Sequence, residues 1–223
     1  MPNIKLQDVV IFVNGTSRYN QNAFDTVLVK TLLVTDEPIT EEYYVPNGVT
    51  ANPEILKILK LEGLEVTPFK ASTLLQGTED IQQQALNGNP SETLNDAAKL
   101  LLLSLLKKSQ LVPVPGSTNT YELTYEYKIF PEQQGSNSYS FEIRVPFDGL
   151  GIHPQGGRVE VTVVLPRMTE LDTQVTKGID QQGVEITEVP YQAPNVNRQI
   201  VTFAYQIDPL FTIRYTHQQP LLA

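Results

Sequence analysis

The sequence predicts a mainly β, antiparallel fold, a β-sandwich or barrel, with a helical insertion of two to three helices. Three observations predict it. From Thr120 onward apolar and polar side chains alternate with period two; short β-branched and aromatic runs are punctuated by Gly, Pro and Asn; and between residues 51 and 110 the apolar period becomes helical. A chain of 223 residues is long enough to bury one full core, so a single β-rich domain over 1–223, with the insertion at 51–110, explains the order strand, helix, strand.

The opening elements are two strands, Ile4 to Val13 and Ala23 to Val34, forming a hairpin around Asn14-Gly15, a pair that accepts positive φ. In Asn52-Pro53-Glu54 an N-cap Asn, a Pro at the first helical position and an acid at the positive helix end start a helix closed by Gly63, with Ile55, Leu56 and Leu59 on one face. Asn89-Pro90-Ser91-Glu92 starts another, running to Lys107 and Lys108. Between them lie a short strand, Leu64 to Phe69, and a short helix, Thr78 to Leu86. Because Leu100 to Leu103 cover every direction of one turn, the tract Leu94 to Leu106 is expected to be buried on nearly all sides. It is too short, and too interrupted by Asp96, Lys99 and Ser104, to span a membrane.

Tyr121, Leu123, Tyr125, Tyr127 and Ile129 alternate with polar residues, as do Tyr139, Phe141, Ile143, Val145 and Phe147. The linker Pro131 to Asn137 makes Tyr121 to Phe147 a two-stranded hairpin with its odd-numbered residues in the core. Further strands are Arg158 to Leu165, Val184 to Val189, Gln199 to Ile207 and Leu210 to Tyr215.

The formal net charge of −9 offers no footprint for a phosphate backbone, so nucleic acid is not an expected direct partner. Without cysteine there is no disulfide, thiolate nucleophile or zinc ribbon. The segment Met1 to Asp8 has no basic region leading into an apolar stretch, so the expectation is synthesis in a cytoplasm without a secretory signal. Only 18% of residues are charged, and the Gln, Asn, Thr and Ser that replace them make a surface weakly repulsive toward its own copies.

Reactive groups are few. His153 lies in a glycine-rich stretch, 149–157, that no helix follows, so it reads as a loop rather than a phosphate cradle. His217 reads as a surface or interface residue near the end of the last strand. Asp148, Glu160, Asp172 and Asp180 are candidates for acid or base chemistry, but no spacing singles out a pair, and a nucleophile elbow is absent. Asp172, Asp180 and Glu185 surround a loop without the regular acid spacing of a calcium-binding hand. Asn14-Gly15-Thr16 matches a glycosylation sequon that has no meaning without secretion. The expectation is therefore no enzyme: no catalytic, cofactor-binding or metal-ligating residue, and no cofactor.

Cysteine-free, rich in Gln, Asn and Thr, and β-dominated with long hairpins and a leucine-rich helix, the chain resembles phage virion structural proteins of the tail-tube, tail-completion and capsid-decoration kind. The resemblance implies a structural subunit located in a virion, a homo-oligomer that also contacts other proteins of the particle, with no membrane and no direct nucleic acid. The alternative is a carbohydrate-binding or adhesion module, using the central tyrosines as a stacking platform.

Overall fold

The computed structural model describes residues 2–46, 68–76, 78–88, 90–180, 182–186, 189–193, 198–206 and 209–218. In chain order the strands are β1 Asn3–Asn14, β2 Asp25–Thr35, β3 Tyr43–Pro46, β4 Phe69–Lys70, β5 Leu106–Ser109, β6 Val112–Pro113, β7 Thr120–Ile129, β8 Ser138–Arg144, β9 Gly151–Ile152, β10 Arg158–Arg167, β11 Thr169–Leu171, β12 Lys177–Ile179, β13 Glu185–Ile186, β14 Val189–Ala193, β15 Arg198–Tyr205 and β16 Leu210–His217. The helices are α1 Ala71–Leu75, α2 Ile81–Leu86 and α3 Pro90–Ser104.

The protein is mainly β. An eight-stranded sheet runs β14-β15-β10-β1-β2-β7-β6 with β9 beside β1, and a five-stranded sheet runs β11-β16-β12-β13 with β8 also paired to β16. Their inner faces share one core, in which Val9, Ile11, Val29, Val161 and Phe203 meet Phe141, Phe211 and Ile213. Phe203 and Phe211 stack across the layers with ring centroids 4.1 Å apart. The small sheet β4-β3-β5 carries the helical part.

The expected antiparallel pairing holds for most strands, but β1 pairs β10 in parallel from Leu6↔Arg158 to Phe12↔Val164. Parallel neighbours need a long crossover, and everything from β2 to β9 supplies it.

The opening hairpin forms as expected, β1 against β2. Its turn differs: Gly15 sits at φ −71°, and the positive φ values fall at Gln21 and Asn22. A Cβ on Gly15 would lie 3.1 Å from His217 Cε1, so Gly15 is matched to close approach, not to turn geometry.

The expected hairpin between Tyr121 and Phe147 does not form. Although β7 and β8 are consecutive, β7 pairs β2 in the large sheet and β8 pairs β16 in the other. The facing is as expected, since the odd-numbered side chains of both strands are buried. Alternation reports which face is covered but says nothing of which strand lies alongside.

The expected insertion of two to three helices is also corrected. Among the described residues one helix exceeds two turns, α3, with α1 and α2 of 5 and 6 residues; β4 and β5 of this region pair with β3 instead. The helix expected from Asn52 to Gly63 lies outside the described residues. Lys107 and Lys108 belong to β5 rather than to a helix end.

Nor is the leucine tract buried on all sides. Leu94 is 73% and Leu101 50% exposed, whereas Asp96, paired to Lys99 at 2.8 Å, is 4% exposed; Leu106 is buried, but in β5. The run of leucines leaves one turn of the helix without a polar face, but how much of the chain covers that turn is decided by tertiary packing. Leu101→Ala should therefore leave the unfolding free energy of the isolated subunit within about 0.5 kcal/mol of the parent, as at other surface positions, checked by urea titration. A loss of core size, about 2–5 kcal/mol, would show that the leucine is covered in solution.

Candidate interaction surface

The best-organised polar cluster lies between the layers where β16 meets the β1–β2 loop. Asp25 Oδ1 accepts from the Ser17 backbone N–H at 2.9 Å, and Oδ2 accepts from the Tyr215 hydroxyl at 2.7 Å and His217 Nε2 at 2.8 Å. Ser17 Oγ also lies 3.1 Å from His217 Nε2, and Arg18 Nε donates to His217 Nδ1 at 3.3 Å. Burial pushes the Asp25 carboxyl upward, but the bonds from His217, Ser17 and Tyr215 outweigh it and hold the carboxyl below its usual range. Burial pushes the neighbouring Tyr139 up to about 12 and Tyr215 well above its usual value.

Ser, His and Asp together invite comparison with a nucleophile triad, and the geometry differs. A triad base takes the serine proton on one ring nitrogen and holds the acid on the other. Here Ser17 and Asp25 share Nε2, while Nδ1 is occupied as an acceptor by Arg18, so the ring offers Ser17 no free lone pair. His217 is 1% exposed and Ser17 and Asp25 are fully buried. The cluster ties the end of β16 to the first hairpin. His217 is thus an interior residue, not the surface or interface residue expected. Nothing in the sequence marks the pair, because its partners are 192 positions apart.

The other singled-out residues do not converge. His153 N–H donates to the Ile4 carbonyl at 2.9 Å and its carbonyl accepts from Gly157 N–H at 2.9 Å, a loop entering β10. Asp148 Oδ2 accepts from Lys70 N–H at 3.1 Å. Glu160 pairs Arg158 at 2.7 Å on the outer side of β10. Asp172 caps its own turn through Gln174 and Val175 N–H and pairs Arg214 at 3.2 Å. Asp180 caps its turn through Gln182 and Val184 N–H, and Glu185 pairs Lys177 at 3.1 Å. Among the described residues no three His, Cys, Asp or Glu side chains gather as a metal site would require. No helix among them is long and apolar enough to cross a membrane. Thr16 Oγ, of the sequon, donates to the Phe24 carbonyl at 3.0 Å.

The outer face of the eight-stranded sheet is organised differently. On β7 the outward positions are Glu122, Thr124, Glu126 and Lys128, the pattern of a strand covered on one side. The central strands β1 and β2 depart from it. Their inward faces fill the core, yet Leu6, Val10 and Phe12 of β1 and Leu28, Leu32 and Val34 of β2 point outward and are half-buried or, for Phe12, 37% exposed. Register aligns four of the outward apolar side chains into one row across four strands: Leu28 opposite Phe12, Phe12 opposite Val164, Val164 opposite Ile200.

Charge is interspersed with these apolar side chains: on the central strands Lys30 stands opposite Val10, and Asp8 stands opposite Leu32 and Glu160. The acids Asp8, Glu122, Glu126 and Glu160 share this face with the bases Lys30, Lys128, Arg158 and Arg198, and Lys5 stands at its margin by the β1 bulge, so the face is close to neutral on a chain of net charge −9. An apolar row on a face whose remaining side chains are mixed in sign and close to neutral suits a protein partner.

No protein-family model matches this chain, and no curated protein sequence matches it significantly.

Proposed function

We propose that the chain is a structural subunit of a larger particle, of the bacteriophage virion kind, and acts through protein–protein contacts rather than bond-making chemistry. The observation that carries this reading is the outward apolar row on strands whose inner faces are already in the core. Strands apolar on both faces are characteristic of sheets covered on both sides, and here one side is left to a neighbour. The weakly charged surface and the solvent-facing leucines Leu94 and Leu101 of α3 support the same reading. A carbohydrate-stacking platform has less support, because Tyr121, Tyr125, Tyr127 and Tyr139 are interior.

The test is fractionation of particles from the source of the protein. The chain should sediment with assembled particles at a fixed stoichiometry by quantitative mass spectrometry and withstand a salt wash. Its recovery only in the soluble fraction, with particles complete without it, would overturn the reading.

A further inference from the structure

We infer that the outer face of the eight-stranded sheet is occupied by a second copy of this chain. The inference rests on the assembly role proposed above and names the surface and the partner. Two observations select a copy over another occupant. The first is charge: two chains of net charge −9 repel wherever their general surfaces meet. On this face acids and bases balance, so copies can approach with little repulsion. An anionic partner such as nucleic acid, or a strongly basic protein, would call for a face of one sign.

The second observation is size. Five adjacent strands, β7 to β15, make a face roughly 24 Å wide by 23 Å long, a flat footprint of roughly 550 Å². Corrugation by side chains brings its accessible area toward the ~800 Å² that a standard interface takes from each partner. Phe12 lies on the central strand of the five, toward the end of that strand nearest the first loop, and is paired directly to apolar side chains on both sides, which makes this large aromatic the anchor of the face.

Sedimentation velocity of the full chain from about 10 nM to about 100 µM, since interfaces of this size dissociate at micromolar concentrations and below, tests the inference. The expected result is concentration-dependent self-association that changes little with added salt, because its apolar row carries the contact and the charges of the face balance. Phe12→Glu should weaken it by about 30-fold or more, the size of an anchor residue, while Val184→Glu, at an exposed position just before β13 of the other sheet, leaves it unchanged. As a control that does not depend on how a buried-charge variant folds, Thr162→Cys gives this cysteine-free chain one thiol next to the row, and a short bis-maleimide should link copies through it. A chain monomeric throughout, or association and crosslinking indifferent to this face, overturns the inference. If particles still incorporate the chain while Phe12→Glu leaves self-association intact, the assembly role stands and the face assignment fails. If the chain self-associates through this face but is absent from particles, the face assignment stands and the particle role fails.

Discussion

Asp25→Ala should lower the unfolding free energy by about 3–5 kcal/mol. Asp25 is fully buried and accepts from the Ser17 N–H, the Tyr215 hydroxyl and His217 Nε2, so its removal orphans three donors, each at a cost of about 1–3 kcal/mol when relaxation is incomplete. Urea titration of the variant measures the loss, and a change under about 0.5 kcal/mol would show that the donors find other acceptors. Two pH dependences follow. Asp25 titrates below its ordinary value in the folded chain, so its contribution is complete above the unfolded carboxyl value of about 4 and is lost as pH falls through the lower folded value. Asp25→Ala should flatten the stability profile on that acid side. At the other extreme the buried Tyr125, Tyr127, Tyr139 and Tyr215 are all raised. Unfolding releases protons from them once pH passes the unfolded tyrosine value of about 10, so stability should fall as pH rises beyond it.

Tyr125→Asp should leave no folded protein at 25 °C, whereas Thr124→Asp should stay within about 0.5 kcal/mol of the parent. Tyr125 is 2% exposed and stacks near Tyr127 at 6.3 Å, so the new carboxylate would sit unpaired between the layers, where the penalty is several kcal/mol. Thr124 points out on the same strand and stands opposite Lys30 of β2, so an acid there gains a cross-strand partner. Circular dichroism and thermal melts separate the two outcomes, and the reverse ranking would place the faces of β7 the wrong way round.

Residues such as Tyr121, Leu123, Tyr125 and Tyr127 declare their burial through alternation alone, because a period of two admits one reading of which side is covered. The Asn-Gly signal likewise places the opening hairpin, though the positive φ values of its loop fall at Gln21 and Asn22. The outward leucines and Phe12 of β1 and β2 are visible as continuous apolar runs, but a run by itself does not distinguish a strand between two layers from one awaiting a partner. Strand adjacency is not legible: β7 and β8 alternate alike and lie in different sheets, and β1 lies beside β10 because non-local packing, not local propensity, selects neighbours. The Asp25–His217 tie belongs to the same class. Each residue is ordinary in its own segment, and only the folding of β16 against the first hairpin brings a buried carboxylate and an imidazole 192 positions apart within one hydrogen bond. By itself the sequence determined the mainly β class and the buried side of each alternating strand. The tertiary structure decided which strands pair, which leucines are left in solvent, and that Leu28, Phe12, Val164 and Ile200 fall in one row, since register between strands distant in the chain is set by how their inner faces fit a common core.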